Sequence, residues 1–341
     1  MKAALISGVK KFEIKDIEEP KSDGYNVIVD IVKSGICGSD LHYFVNGSPI
    51  SLIMGHEFCG IVKDKGARHD LKVGDRVTAL PISPCGKCEA CKSYNPQYCS
   101  KTWEKAIGLS LDNPGALTEM IKIRPDMVCK VPNNMSDEEV CMVEPTAVSY
   151  HAIKLANIKK GQKVLVIGGG IIGLGSLMFA KYCKASYVCL TETNEKRKEK
   201  ALDLKLCDEA YNPLDEDTTK ILLEKTNGGF DVVIECCGNS SAVNSALSLV
   251  KPGGTVILVG VSTKPIETYS ALAVTKELTI KGAIAYTVSE FKECINLISK
   301  RKINVMPFVS LEVSLNEVQN AYERLTSGTD EAIKIMVNPK K

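Results

Sequence analysis

The chain has 341 residues, and 43 lysines and arginines against 41 acidic residues give it a net charge of +2 at pH 7. This length favours two domains over one, and the near-neutral charge gives no electrostatic basis for binding nucleic acid or a membrane surface. Fourteen cysteines accompany an N-terminus with no signal-peptide pattern. We therefore expect a cytoplasmic protein whose cysteines bind metal or catalyse rather than form disulfides.

The first part of the chain reads as β-rich. Alternating apolar residues over 26–32 and 74–80 predict short strands of a barrel-like module within residues 1–81. Residues 82–102 show no periodicity and read as a loop, and a strand pattern returns over 116–132. Ser136, with Glu139 at the capping-box position, predicts the start of a helix.

From Val164 onward, predicted strands alternate with predicted helices. The strands are 164–167, 187–191, 231–235 and 255–260, and the helices are 171–183, 194–204, 218–226 and 240–250. This alternation indicates an α/β fold with a parallel, doubly wound sheet. After residue 285 the rhythm stops: helices at 289–300 and 316–325 and strands at 308–313 and 332–337 should pack back on the N-terminal module, which makes that domain discontinuous.

A glycine-rich turn follows the first of these strands. Gly168 permits a tight turn, Gly170 allows a backbone to approach a pyrophosphate, and Gly173 allows the helix to pack on the strand. Glu192 ends the next strand, at the spacing where an acid binds the adenosine ribose. The alternatives are a simple glycine-containing loop, an uncharged buried segment and a membrane-spanning segment. Against them, the glycines lie where a dinucleotide-binding turn needs them.

Four cysteines lie on the predicted loop at zinc-ligand spacing: Cys85, Cys88, Cys91 and Cys99. Four thiolates on one flexible segment can close a tetrahedral site, and a closed shell leaves no position for substrate, so its zinc would be structural. An iron–sulfur cluster or four unrelated cysteines are the alternatives.

A second group combines Cys37 with His56 and an acid, which could form a zinc site with one open position. Asp40 could accept the other ring N–H of His56, and Ser39 with His42 could relay a proton. Taken singly, Cys37 is more often a small buried apolar residue. Only the combination with a cofactor site favours the catalytic interpretation.

These motifs occur together in one family. The stretches Cys37-Gly-Ser-Asp-Leu-His, Gly55-His-Glu-Phe, Val73-Gly-Asp-Arg-Val, the four-cysteine loop, the glycine fingerprint and Lys251-Pro-Gly-Gly appear in family order. Over essentially its whole length the chain resembles the zinc-containing medium-chain dehydrogenases. Within them it looks most like the sorbitol (polyol) dehydrogenase branch, which Val143-Glu-Pro and Asp231-Val-Val-Ile-Glu-Cys-Cys-Gly support.

The resemblance implies a catalytic GroES-like domain (1–145 and 286–341), a Rossmann domain (146–285), two zinc ions per chain, and hydride transfer between NAD and a polyol or other secondary alcohol. It implies a catalytic zinc on Cys37 and His56, with Glu57 as ligand and Glu144 on the zinc-bound water, or the two exchanging. It further implies a tetramer or a dimer. It implies that the additional catalytic residues are Ser39, His42, Tyr43 and Tyr286, and that Ile172 and Arg197 contact the cofactor. Glu192 favours NAD over NADP, although Lys196, Arg197 and Lys198 follow closely.

One departure affects the substrate. The sorbitol enzymes carry an arginine where this chain has Ala285, while the following Tyr286 is kept. A butanediol, threonine, a sugar acid or a polyol phosphate therefore remain alternatives to sorbitol. A non-catalytic nucleotide-binding protein is the rival class, and the intact ligand residues Cys37, His56, Glu57 and Glu144 argue against it.

Overall fold

The computed structural model describes residues 1–328 and 330–341. Within them no helix is both long and apolar enough to cross a membrane. The strands in chain order are β1 (Lys2–Gly8), β2 (Lys11–Asp16), β3 (Val27–Gly35), β4 (Glu57–Asp64), β5 (Arg76–Ala79), β6 (Met120–Ile123), β7 (Val128–Lys130), β8 (Lys163–Ile167), β9 (Tyr187–Thr191), β10 (Glu209–Tyr211), β11 (Phe230–Glu235), β12 (Val250–Leu258), β13 (Thr279–Gly282), β14 (Val309–Ser314) and β15 (Lys334–Asn338).

The α-helices are α1 (Gly38–Asn46), α2 (Glu89–Lys92), α3 (Asp137–Cys141), α4 (Val143–Ala156), α5 (Ile171–Tyr182), α6 (Glu195–Asp203), α7 (Thr218–Thr226), α8 (Ser240–Leu249), α9 (Ser270–Thr275), α10 (Val288–Ser299) and α11 (Val318–Thr326). Helix α3 begins at the capping box of Ser136 and Glu139, where each side chain accepts a hydrogen bond from the other residue's backbone N–H.

The chain forms two compact units, and the first contains Met1–Pro145 together with Tyr286–Lys341. Its main sheet has the order β14-β15-β3-β4-β5-β7, with β6 also paired to β3. The last strand of the chain, β15, thus lies beside β3 in the antiparallel register Met336↔Gly35. Strands β1 and β2 form a separate two-stranded sheet, and helices α1 and α11 pack against each other and against β2 through the rings of Phe12, Phe44 and Tyr322, whose centroids are 4.8–5.3 Å apart.

The second unit, Thr146–Ala285, is built on a parallel sheet with the order β10-β9-β8-β11-β12-β13. Successive strands run outward from β8 on one side and from β11 on the other. The carboxyl ends of these two neighbours are the topological switch point, where ligands bind in such folds. The predicted doubly wound parallel sheet is confirmed.

The structure differs from the sequence prediction at several short elements. Helix α1 lies inside the region predicted to be β-rich, and Cys37 and Asp40 cap its first turn. Strand β12 begins at Val250 rather than after the Lys251-Pro-Gly-Gly break, because its register shifts between Val250 and Thr255 and the glycine-rich stretch forms a bulge. The short elements α2, α9, β10 and β13 carry too little periodicity to be predicted.

Gly173 gives a stability prediction for the second unit. A Cβ at this position would lie 1.8 Å from the carbonyl oxygen of Gly168, so helix α5 could not pack on the turn after β8. Gly173→Ala should lower the free energy of unfolding by about 1–3 kcal/mol, measured by urea denaturation. The control is Gly170→Ala, because a Cβ there would have nothing within 4 Å. Equal stability of the two variants would contradict this account of the turn.

Candidate metal centres and dinucleotide site

The four cysteines of the loop after β5 converge on one point. The sulfurs of Cys85, Cys88, Cys91 and Cys99 lie within 4.8 Å of one another. Backbone N–H groups point at two of them: Cys88 N–H donates to Cys85 Sγ, and Lys101 N–H donates to Cys99 Sγ, each at 3.4 Å. The short helix α2 and a 3₁₀ turn at Pro96–Tyr98 fold the loop back so that Cys99 reaches the other three.

The electrostatics of this loop favour a bound cation. Donation by the backbone N–H groups of Lys87 and Cys88 lowers the pKa of Cys85 to about 6, and donation by Cys85 N–H lowers the pKa of Cys99. Desolvation and hydrogen bonds with the neighbouring thiols, Cys88 first, raise the pKa of Cys91 to about 12. Zn–S bonds of about 2.3 Å place tetrahedral sulfurs about 3.8 Å apart, which fits this cluster.

A second ligand group lies at the junction of β3, α1 and β4. One atom each from Cys37, His56 and Glu57 lie within 4.8 Å of one another. Cys37 caps α1, and Glu57 opens β4 directly after His56, so two neighbouring loops bring the three side chains together. His56 and Glu57 are buried, whereas Cys37 is partly exposed. Three protein ligands with one side open to solvent are the arrangement of a catalytic zinc site.

His56 is oriented by an acid. Its Nδ1 lies 3.4 Å from Asp40 Oδ1, close enough for an ion pair, and neither atom makes a hydrogen bond with any described residue. Asp40 is fully buried, and its other oxygen, Oδ2, accepts from the hydroxyl of Tyr322 at 3.4 Å. Burial raises the pKa of Asp40. This arrangement leaves the opposite ring nitrogen of His56 for Cys37 and the metal position.

Glu57 takes part in a buried ion pair. The ammonium group of Lys334, on β15, donates to both carboxylate oxygens at 2.8 and 2.6 Å and to the carbonyl oxygen of Ile36 at 2.7 Å. Burial alone would lower the pKa of Lys334, but Glu57 together with Cys37 and Glu144 outweighs burial and the pKa is raised. Gly35 makes room for the pair, because a Cβ there would lie 2.3 Å from Glu57 Oε2.

Glu144, in the first turn of α4, is buried close to this group but lies outside the three-residue ligand cluster. Its Oε1 accepts a hydrogen bond from the hydroxyl of Tyr286 at 2.8 Å. Burial raises the pKa of Glu144 to about 7. Tyr286, expected to contact substrate, is fully buried and has this carboxylate as its partner.

The remaining predicted catalytic residues lie on α1. The Ser39 hydroxyl donates to Cys37 Sγ at 3.2 Å, and the Ser39 and His42 side chains are exposed. Tyr43 is half-buried and packs against the apolar core of the unit. Sequence reasoning missed Lys334 and Tyr322. The available signal for Lys334 was a lysine within the apolar run of β15. Nothing in the sequence marks Tyr322.

In the second unit, the glycine turn follows β8 as a dinucleotide site requires. Gly168 has φ +99°, and Gly170 is the N-cap of α5, so the free N–H groups of the first turn face the loop. A Cβ on Gly170 would meet nothing within 4 Å, which leaves the backbone accessible to a pyrophosphate. Ile172 lies in the first turn of the same helix. The residues present therefore fit a dinucleotide.

Glu192 lies beside this turn at the end of β9. Its Oε2 accepts from Gly169 N–H at 2.6 Å, and its Oε1 accepts from Asn194 N–H at 2.8 Å. Asn194 then caps α6 by accepting from the backbone N–H of Arg197. Glu192 thus braces the glycine turn, a role in addition to the ribose contact expected from the sequence.

The comparisons with known proteins agree with these sites. Residues 23–133 match the model of the alcohol dehydrogenase GroES-like domain, and residues 172–300 match that of the zinc-binding dehydrogenases. The chain is 31% identical to sorbitol dehydrogenase of Bacillus subtilis, covering 100% of this chain and 98% of the relative. The chain belongs to the zinc-containing medium-chain dehydrogenases. The predicted resemblance is therefore confirmed, and with it a zinc-dependent dehydrogenase that uses a nicotinamide cofactor and a small-molecule alcohol.

Two further relatives show the range of the family. D-xylulose reductase A of Aspergillus oryzae is 30% identical, over 95% of this chain and 93% of the relative. The crystal structure of an oxidoreductase/dehydrogenase of unknown specificity from Escherichia coli has a TM-score of 0.92 and 29% identity, covering 99% of this chain and 98% of that chain. The match over nearly full length supports the confirmed fold class, a Rossmann sheet with a GroES-like β-rich domain.

The four-cysteine loop gives a prediction on stability. Cys85→Ser should remove about one zinc per chain and lower the melting temperature, because the loop between β5 and β6 loses the ion that ties it together. Metal analysis and thermal unfolding measure both effects. Cys183→Ser is the matched control, since Cys183 lies outside both metal clusters. Unchanged zinc content in Cys85→Ser would show that the four sulfurs do not bind the ion.

Proposed function

We propose that this enzyme transfers a hydride between NAD and a polyol or other secondary alcohol, with Cys37, His56 and Glu57 as ligands of a catalytic zinc. The convergence of these three side chains within 4.8 Å is the observation that carries the proposal. It is supported by relatives named sorbitol dehydrogenase and D-xylulose reductase A that align over nearly the whole chain. Ala285 replaces a residue that sorbitol enzymes use to grip the substrate, so the proposal is the polyol class rather than sorbitol itself.

The roles of the side chains follow from their positions. A bound zinc ion supplies a Lewis acid that lowers the pKa of an alcohol. Ser39, exposed and hydrogen-bonded to Cys37, is placed to accept the alcohol proton and pass it toward the exposed His42. Asp40 holds the His56 ring, and Lys334 anchors Glu57. We propose that Glu144, held by Tyr286, orients the water or substrate rather than serving as the permanent ligand.

NAD is the proposed cofactor, because the Glu192 carboxylate is negative where a 2′-phosphate would have to lie. Gly168, Gly170, Ile172 and Gly173 would hold the pyrophosphate, and Arg197 lies one turn into α6. We further propose two zinc ions per chain, a homotetramer or homodimer, and a cytoplasmic location. The last is supported by the fourteen cysteines, all of which are free thiols.

Activity on a substrate panel tests the proposal. Among polyols, diols, threonine, sugar acids and polyol phosphates, polyols are expected to give the highest rate of NADH formation. Cys37→Ala or His56→Ala should lower that rate roughly a thousandfold, because several kcal/mol of charge stabilisation is lost. NADH binding, measured by fluorescence, should be retained, because the glycine turn belongs to the other unit. Retained turnover in both variants would exclude the zinc mechanism.

Cofactor preference gives a separate prediction. Glu192→Ala should reduce the ratio of kcat/KM for NAD to that for NADP by about tenfold, since the loss of a charged hydrogen bond costs about 1.5 kcal/mol or more. Binding of both cofactors should weaken as well, because Gly169 loses its acceptor. Glu199→Ala, an exposed acid on α6, is the control. An unaltered ratio would assign the preference to another residue.

A further inference from the structure

Three acids belong to the proposed catalytic metal site or lie close to its ligands. Each receives a hydrogen bond from the C-terminal segment, residues 286–341. Asp40, Glu57 and Glu144 lie in the N-terminal part of the unit and are all buried. Their donors are Tyr322 for Asp40 Oδ2, Lys334 for both oxygens of Glu57, and Tyr286 for Glu144 Oε1. The three donors are themselves 0–1% exposed.

We infer that the two tyrosines, Tyr286 and Tyr322, are positioning residues that fix the orientation of two acids beside the proposed zinc ligands: Tyr322 orients Asp40 toward the His56 ring, and Tyr286 orients Glu144, proposed to hold the zinc-bound water. A carboxylate can rotate about its terminal bond, and donors from packed elements restrict that rotation. Asp40 Oδ2 accepts from the Cys37 backbone N–H at 3.3 Å and from the Tyr322 hydroxyl at 3.4 Å, and Oδ1 then faces His56 Nδ1 at 3.4 Å. The orientation of the metal-binding ring thereby depends on a hydroxyl from helix α11 in addition to the backbone of Cys37.

Glu144 is held in the same way. Its Oε1 accepts from Tyr286, which immediately precedes helix α10, and its position in the first turn of α4 fixes the backbone end of the side chain. The Tyr286 ring stacks on Phe291 with centroids 5.4 Å apart, so the hydroxyl is delivered by a packed ring rather than a mobile one. Tyr322 is likewise fixed by Phe12 and Phe44.

Both hydroxyls can be removed without disturbing this packing, because phenylalanine keeps the ring. Outer partners of metal ligands typically change metal affinity by 10–100-fold. We expect Tyr322→Phe and Tyr286→Phe each to release the zinc of the Cys37–His56 site about 10–100 times faster. The zinc held by the four cysteines should leave at its original rate, since neither tyrosine contacts that loop in the described structure.

The experiment follows zinc release from the purified, fully loaded protein to a chromogenic chelator, together with the melting temperature. Cys37→Ser identifies which kinetic phase belongs to the catalytic site. Tyr211→Phe is the matched control: it also removes a tyrosine–glutamate hydrogen bond, at 2.6 Å to Glu209, but in the other unit. The expected result is acceleration of the catalytic phase alone in both test variants and no change in the control.

An unchanged catalytic phase in either test variant would overturn the inference. So would equal acceleration of both phases with a falling melting temperature, because that pattern describes general loosening rather than positioning. The inference rests on the proposed ligation by Cys37 and His56, and the two can fail separately. If Cys37→Ser removes no phase, the proposed metal site is wrong; if it removes one and the tyrosine variants leave that phase unchanged, only the positioning role is wrong.

Discussion

The buried ion pair between Lys334 and Glu57 is the interaction around which the first unit is organised. Its side chains are 1% and 0% exposed, so both charges have lost their hydration and depend on each other. Breaking such a pair by removing one partner typically costs about 3–5 kcal/mol, because the remaining charge stays buried without compensation. Since β15 and β4 both flank β3, the pair reaches across three strands. It also requires a glycine at position 35, because a side chain there would collide with the Glu57 carboxylate. The position of Glu57 and the placement of β15 in the sheet therefore depend on the same contact.

The first unit contains the proposed metal ligands, and the second contains the proposed dinucleotide site. The first takes its metal ligands from neighbouring loops, but the partners that hold the acids of its Cys37–His56 site come from residues 286–341. The second builds its dinucleotide turn almost locally, from β8, the three glycines and the start of α5. Glu192 is its one important addition from a neighbouring strand, and it stabilises the turn through Gly169. The conformation of the backbone defines the dinucleotide turn, whereas hydrogen bonds and ion pairs between side chains define the metal site.

This contrast explains how much the sequence could predict. The parallel sheet and the family were predictable, because strand and helix periodicity and contiguous motifs such as Gly55-His-Glu are local signals. The four cysteines and the glycine turn were equally readable, since their spacing alone defines their geometry. Tyr322 and Lys334 were not predicted, because their roles exist only once α11 and β15 pack against residues nearly three hundred positions earlier. Helix α1 was not predicted, because its nine residues make about two and a half turns, which is too short to establish a helical period.

The return of the C-terminal segment to the first unit has a consequence for the order in which the two metal sites are completed. A chain is synthesised from its N-terminus, so the loop with Cys85 and Cys99 is made long before β15. That loop carries all four of the sulfurs of its cluster. The Cys37–His56 site differs, because the counter-charge of Glu57 is Lys334, which follows it by 277 residues. Glu57 therefore gains its partner only after β15 has been made and has joined the sheet.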